Sequence, residues 1–170
     1  RSSAEFTIPG MEILIIGAGV GGLTLALSLH QAGIACRVFE AAPELAEGVL
    51  VVSASKGLEP GSLKRMTAVL ADVLPAGSAI AALSGPTFAR EVYERQPTAA
   101  TVASADAEAA QCAQHALSAP HLRLYTNDDV VGVELAGALK NVIAIAAGIL
   151  DGLGLGHNAR AALIARGLAE

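Results

Sequence analysis

The 170-residue chain predicts an α/β fold, doubly wound around a mostly parallel sheet, and three observations carry that prediction. Apolar strand-like runs alternate with helix-like stretches almost from end to end, the signature of parallel strands joined by helical crossovers. A glycine-rich turn follows the first such strand directly. Proline and glycine then punctuate the later joins, at Pro75 and Gly77, at Pro97, and at Ser118 with Pro120, where an alternating pattern needs breaks. Hydrophobic residues form 53% of the sequence and the mean hydropathy is +0.53, so a real core can form, and the length favours one domain.

Residues 1–10 have no apolar signal core and do not begin with Met; they read as a leader, a truncation or a remnant. The expected strands are 12–16, 35–39, 49–54, 79–83, 98–103 and 122–125. Helices are expected at about 21–32, 62–74, 87–95, 105–117, 129–150 and 158–168. No internal repeat is present. Between Glu40 and the strand at 49–54 lie only eight residues, whereas a parallel crossover usually takes a dozen or more and a helix. Fully extended, eight residues span roughly 27 Å. They can therefore cross the sheet bare, or make an antiparallel return, and the sequence leaves both open.

A net charge of -5, with 11 Lys and Arg scattered along the chain, argues against nucleic acid or an anionic membrane as the main partner. Cys36 and Cys112 show no metal spacing and read as free thiols of a reducing compartment, with cytoplasm the default. Two apolar stretches invite a membrane reading. Residues 11–29 are interrupted by glycines, Glu12, Thr24 and Ser28, and residues 130–150 contain Glu134, Lys140 and Asn141, so neither is expected to span. His30, His115, His121 and His157 have no mutual spacing that fits a metal or a triad.

The glycines at Gly17, Gly19 and Gly22 are spaced G-x-G-x-x-G between a strand and a helix start. Such a turn lets backbone N–H groups approach a pyrophosphate, and the helix presents its positive end to the same anion. Glu40 closes the second strand near the distance at which a carboxylate accepts a ribose 2′-OH. Together these make the expected fold Rossmann-like, with NAD as the expected cofactor and NADP or FAD as weaker fits. The alternative is a glycine-rich turn of any α/β protein.

Three later positions carry candidate chemistry. Lys56 follows an apolar strand, where a cation suits a phosphate, although an exposed turn lysine reads the same way. Ser84-Gly-Pro-Thr87 also follows a strand, and Pro86 suits the first turn of a helix, which would leave free backbone donors; a plain helix start is the alternative. Lys140 has Val133, Ala136, Gly137, Ile143, Ala144 and Ala147 as helical neighbours, so it projects from an apolar surface. Burial would lower its pKa and fit it to pass a proton to a carbonyl oxygen as hydride arrives; a snorkelling lysine is the other reading.

Two resemblances follow from these residues. Ile15-Ile-Gly-Ala-Gly-Val-Gly-Gly-Leu23, Ala32-Gly-Ile34 and Val38-Phe-Glu-Ala-Ala-Pro43 resemble the N-terminal FAD-binding stretch of flavin-dependent aromatic hydroxylases. From about Val49 onward the chain resembles bacterial NAD(P)-dependent glycerol-3-phosphate dehydrogenase. The residues that carry this are Ser53-Ala-Ser-Lys-Gly-Leu-Glu-Pro-Gly61, Leu83-Ser-Gly-Pro-Thr-Phe-Ala-Arg-Glu91, Asn127-Asp-Asp-Val-Val-Gly-Val-Glu134, Gly137-Ala-Leu-Lys-Asn-Val-Ile-Ala-Ile145 and Asp151-Gly-Leu-Gly-Leu-Gly-His-Asn-Ala-Arg160. The chain thus reads as a chimera joined near residues 45–48, with a nucleotide-binding domain over 11–127 and the start of a truncated helical domain over 128–170.

The second resemblance implies hydride transfer between NAD(P)H and dihydroxyacetone phosphate. It implies Lys140 as catalytic acid/base, with Lys56, Gly85, Thr87 and Lys140 on the substrate. Lys56 and Ala89, with Gly17, Gly19, Gly22 and Glu40, would meet the cofactor. Residues 151–160 read mainly as an inter-domain turn. The match begins partway through that family's nucleotide-binding domain and stops one helix into its C-terminal domain, which implies an incomplete substrate site. The alternatives are a non-catalytic dinucleotide-binding chimera and an FAD-binding fragment of a monooxygenase. Apolar Ala161, Leu163, Ile164 and Leu168 on the last helix predict self-association into a homo-oligomer.

Overall fold

A computed structural model of the chain describes residues 13–16, 36–39 and 49–169. The expected helix at 21–32, the residues at 1–10 and the join at 41–48 lie outside these described residues. So do Gly17, Gly19, Gly22 and Glu40.

Among the described residues six strands form one sheet: β1 (Ile13–Ile16), β2 (Cys36–Phe39), β3 (Leu50–Ser53), β4 (Ala79–Ser84), β5 (Thr98–Ala103) and β6 (Leu122–Asn127). Their order is β2-β1-β3-β4-β5-β6. The open choice at strand 49–54 resolves as parallel: Leu14 pairs with Val51 and Ile16 with Ser53 on one side, and Leu50 pairs with Ala79 on the other. β1 therefore has β2 and β3 as its two parallel neighbours, and the winding reverses there. In open α/β sheets ligands bind outside the carboxyl ends of the strands at that point of reversal. The carboxyl ends of β1 and β3 lie level, at Ile16 and Ser53.

The second half of the sheet runs the other way. β5 is antiparallel to β4, with Ala82 opposite Ala103, and β6 is parallel to β5. The connection from β4 to β5 holds only the five-residue helix α2 (Ala89–Tyr93), and an antiparallel neighbour needs no helix long enough to cross the sheet.

Alternation along the strands builds a core on each face. Val52, Ala81, Ala100, Val102, Leu122 and Leu124 pack with Ala113 and Leu117 of α3 (Ala107–Leu117). On the opposite face Val51 packs with Leu70 and Leu74 around α1 (Met66–Val73). Val51 and Val102 are fully enclosed, as central strands covered on both sides require. α3 starts at Asp106, whose carboxylate accepts the backbone N–H groups of Glu108 and Ala109 at 2.9 and 3.4 Å.

α1 is shorter than the expected 62–74. Leu58 bridges Arg65, and the Glu59 and Leu63 N–H groups bond to the carbonyls of Lys64 and Glu59, both at 2.9 Å. Gly61 at φ 96° and Leu63 at φ 57° turn that loop, so helical φ/ψ begins only at Met66. α2 is likewise shorter than the expected 87–95. It starts at Ala89, so Pro86 lies before the helix and not in its first turn.

α4 (Val130–Gly152) runs about 34 Å from its cap at Asp129, which accepts the Gly132 N–H at 2.8 Å. It packs on β4 and β5, and α5 (His157–Ala169) packs along it. By length and composition alone α4 could cross a membrane, its most apolar stretch having a mean hydropathy of 1.7. In the fold its first turns lie on the sheet, with Glu134 and Gly137 buried. The connection between α4 and α5 turns at Gly154, φ 68°, and an Arg160–Asp151 ion pair clasps it.

Candidate functional site

An open cavity of about 420 Å³ lies where the loops leaving β3 and β4 meet α4. Lys56, the segment from Ser84 to Phe88, and Ala136, Gly137, Lys140 and Ala144 line it. Three elements bring these residues together for separate reasons.

Lys56 follows β3 directly, and its Nζ donates to the Gly85 carbonyl at 2.8 Å. Gly85 ends β4 at φ 149°, a conformation L side chains rarely adopt. A Cβ there would sit 2.8 Å from the Ala100 Cα and 3.2 Å from the Ala99 carbonyl oxygen. Glycine therefore lets the chain turn hard against β5 and aim its carbonyl at Lys56. The Thr87 N–H closes the same turn on the Gly85 carbonyl at 3.0 Å.

α4 approaches through Gly137. A Cβ on Gly137 would meet the Ser84 Oγ at 2.6 Å, with the Lys56 Cγ at 3.8 Å. The close approach brings Lys140, three residues on and nearly one turn along, to the same cavity. Its Nζ bonds to Asn141 Oδ1 at 3.1 Å. Lys140 is exposed, which corrects the expectation of a buried lysine. Helical spacing marks an apolar surface but not what covers it: Leu139, Val142, Ile145 and Ile149 are more than half exposed.

Lys56 is held partly out of water. Partial enclosure by the cavity walls, and after it the charge of Lys140, pulls its ammonium below the ordinary lysine range. Among the described residues no Asp or Glu lines the cavity, so its two ammonium groups face no described carboxylate there. An anion with several acceptor oxygens would bond to both and offset their repulsion.

The structure brings together Lys56, Gly85, Thr87 and Lys140 of the sequence-predicted residues. Ala89 opens α2 and does not line the cavity. The expectation of free donors at a helix N-terminus fails for Ser84 to Thr87: the helix starts later, at Ala89, and Phe88 caps it without a side-chain bond.

The sequence reading missed two contributors. Phe88 forms an exposed apolar lip of the cavity. Glu134, a carboxylate in an otherwise apolar helical run, is buried and holds the loop behind Lys56. A lone acid on the sheet-facing side of an amphipathic helix is the signal that marks it.

Comparison with known proteins finds two matching models of one family. A model of the N-terminus of NAD-dependent glycerol-3-phosphate dehydrogenase matches residues 40–110, and a model of its C-terminus matches residues 129–170. From residue 40 onward the chain matches that family. The glycerol-3-phosphate dehydrogenase [NAD(P)+] of Geobacter metallireducens is 61% identical over 131 residues, 76% of this chain and 39% of that protein. That of Koribacter versatilis is 51% identical over 154 residues, 89% of this chain and 46% of that protein. The chain thus spans less than half the length of these curated relatives.

Among solved structures, the glycerol-3-phosphate dehydrogenase of Coxiella burnetii superposes with a TM-score of 0.75 at 32% identity, covering 93% of this chain and 66% of that one. The Plasmodium falciparum glycerol-3-phosphate dehydrogenase shares the fold, with a TM-score of 0.78 at 18% identity over 94% of this chain and 64% of that one. Residues 15–47 match a general NAD(P)-binding Rossmann-like domain.

Proposed function

We propose that this chain carries the phosphate-binding and proton-handling part of an NAD-dependent glycerol-3-phosphate dehydrogenase. The observation that supports this most is that Lys56 and Lys140 line one cavity, with no carboxylate among the described residues that line it. Lys56 would bind the phosphate of dihydroxyacetone phosphate, beside Gly85 and Thr87. Lys140 would hold the ketone oxygen and deliver a proton to it, becoming neutral as the carbonyl becomes an alcohol. In the reverse direction it would take that proton back.

The cofactor fits the crevice at the carboxyl ends of β1 and β3, which lie level where the winding reverses. Gly17, Gly19, Gly22 and Glu40 would hold it, with Lys56 and Ala89 alongside; bound NADH supplies the hydride to the carbonyl carbon. Glu40 disfavours a 2′-phosphate and so favours NAD over NADP. The boundary near 128 between a nucleotide-binding and a helical domain is supported by the gap between the two family matches. A cytoplasmic homo-oligomer, associating through the exposed apolar residues of α4 and α5, completes the reading; a monomer in light scattering at high concentration would contradict that part.

NADH oxidation with dihydroxyacetone phosphate, measured against a Lys140→Ala variant, tests the reaction. Equal rates in the two proteins would refute the role of Lys140. A second reading, dinucleotide binding without turnover, is supported by the exposure of Lys140. NADH binding by calorimetry with no turnover would favour it. For residues 11–45 the flavin-hydroxylase resemblance, and with it a chimera, stands as a proposal that a colourless purified protein would count against.

A further inference from the structure

We infer that Glu134 is a positioning residue that sets the distance between Lys56 and Lys140, by locking α4 to the loop that follows Lys56. The inference rests on the reading of these two lysines as the substrate-facing pair. Its test does not depend on any ligand.

Glu134 is 7% exposed, and both of its carboxylate oxygens are engaged. Oε1 accepts the Thr67 backbone N–H at 2.9 Å. Oε2 accepts the Arg65 Nη1 at 2.7 Å and the Thr67 hydroxyl at 2.5 Å. Arg65 is the N-cap residue of α1 and makes no capping bond of its own. Glu134 therefore supplies from another helix the acceptor that the first turn of α1 lacks, and its charge suits that positive end.

The contacts form a closed ring. Lys56 reaches the Gly85 carbonyl at the end of β4. Ser84, one residue earlier, abuts Gly137 on α4. Glu134 lies three residues before Gly137 on that helix, and holds Arg65. Arg65 bridges Leu58, which lies two residues after Lys56. Of these links the Glu134 cluster alone joins the loop of residues 57–65 to α4 by charged bonds. Opening it would leave the base of that loop free to shift against the helix that carries Lys140, whereas the Gly137 contact is only van der Waals in kind.

A short bifunctional arylating reagent, which bridges two amines only when they lie close, reads this geometry through the yield of Lys56–Lys140 cross-linked peptide by mass spectrometry. The comparator is Asp106→Ala, which removes the α3 cap far from the cavity and lowers stability without touching the ring. The wild type and Asp106→Ala should give similar yields. Glu134→Ala should lose the cross-link about tenfold, and Glu134→Gln, which keeps one acceptor oxygen but not the charge, about threefold, taking roughly 1 kcal/mol as a factor of five.

If Glu134→Ala does not fold, Glu134→Gln decides. An unchanged yield in a folded Glu134 variant, or an equal loss in Asp106→Ala, overturns the inference. A wild type that cross-links as expected but neither binds NADH nor turns over dihydroxyacetone phosphate would refute the proposed function and leave the positioning role standing.

Discussion

Replacing Gly85 and Gly77 by alanine, one at a time, separates backbone strain from steric overlap. Gly77 sits at φ 84° with nothing within 4 Å of an added Cβ, so Gly77→Ala meets only the strain of a left-handed conformation, about 1–2 kcal/mol. Against this stands a gain of about 0.4–1 kcal/mol from a stiffer unfolded chain, for a net loss of roughly 1 kcal/mol or less. Gly85 carries strain of about 1–3 kcal/mol at φ 149° and adds overlap with the Ala100 backbone at 2.8 Å. Backbone cannot rotate aside as a side chain can, so the overlap costs about 1–3 kcal/mol more. Gly85→Ala should therefore lose roughly 2–5 kcal/mol, and at about 2–4 °C per kcal/mol for this size its Tm should fall by roughly 4–20 °C. Urea unfolding of both variants at constant m-value measures the difference. Losses within about 0.5 kcal/mol of each other would refute the claim that β5 crowds Gly85, since that is the range in which unrelated surface changes fall.

Four other outcomes are expected. Lys56 has a folded pKa below its unfolded one, so between the two values the unfolded chain holds more protons and stability rises with pH. Relative to Lys56→Met, the wild type should gain stability as pH climbs from the lowered folded value through the ordinary lysine range, and pH-dependent amine labelling should modify Lys56 before Lys64, whose ion pair with Asp72 raises its pKa. Lys140→Ala should leave stability within about 0.5 kcal/mol in thermal unfolding, because the side chain is exposed, while abolishing any NADH oxidation. Glu134→Ala loses three hydrogen bonds and leaves Arg65 unpaired with its side chain 29% exposed, so denaturation should show a loss of roughly 2–4 kcal/mol, against about 1 kcal/mol for Asp106→Ala. Inorganic phosphate at about 100 times its Kd should stabilise the wild type by about 2.7 kcal/mol, and Lys56→Met should show little of that rise in Tm.

The fold was legible where burial leaves a mark on composition. β3 and β5 are apolar because helices cover both faces of the sheet, and Asp106 and Asp129 mark two helix starts by the preference for such residues at caps. α1 was read too long because its apolar period continues back into the loop, where Gly61 and Leu63 take positive φ that the pattern does not encode. The reversal at β5 was hidden for a related reason. Alternation of strand and helix resembles a parallel crossover even when the intervening helix has only five residues. At the site, Lys140 was marked by its apolar helical neighbours, and Lys56 by the family resemblance rather than by its position alone. How far each is held from water depends on the walls around it, and spacing along one helix carries no information about a loop 84 residues away.

That difference bears on the division of labour between the lysines. A cation held partly out of water, bonded to a carbonyl and beside a second cation, is poised to accept an anion, because an arriving phosphate offsets both the enclosure and the repulsion. Lys140 faces the same neighbouring cation, but it is exposed and tied to the side chain of Asn141. The same phosphate would change its surroundings: seated between the ammonium groups, it would shield Lys140 from Lys56 and, with substrate, remove water from it. Binding at Lys56 would thus come before the tuning of Lys140. On the proposed reading, the donor at Lys140 would be completed by its substrate, and the ring through Glu134 would fix where that substrate's charge sits.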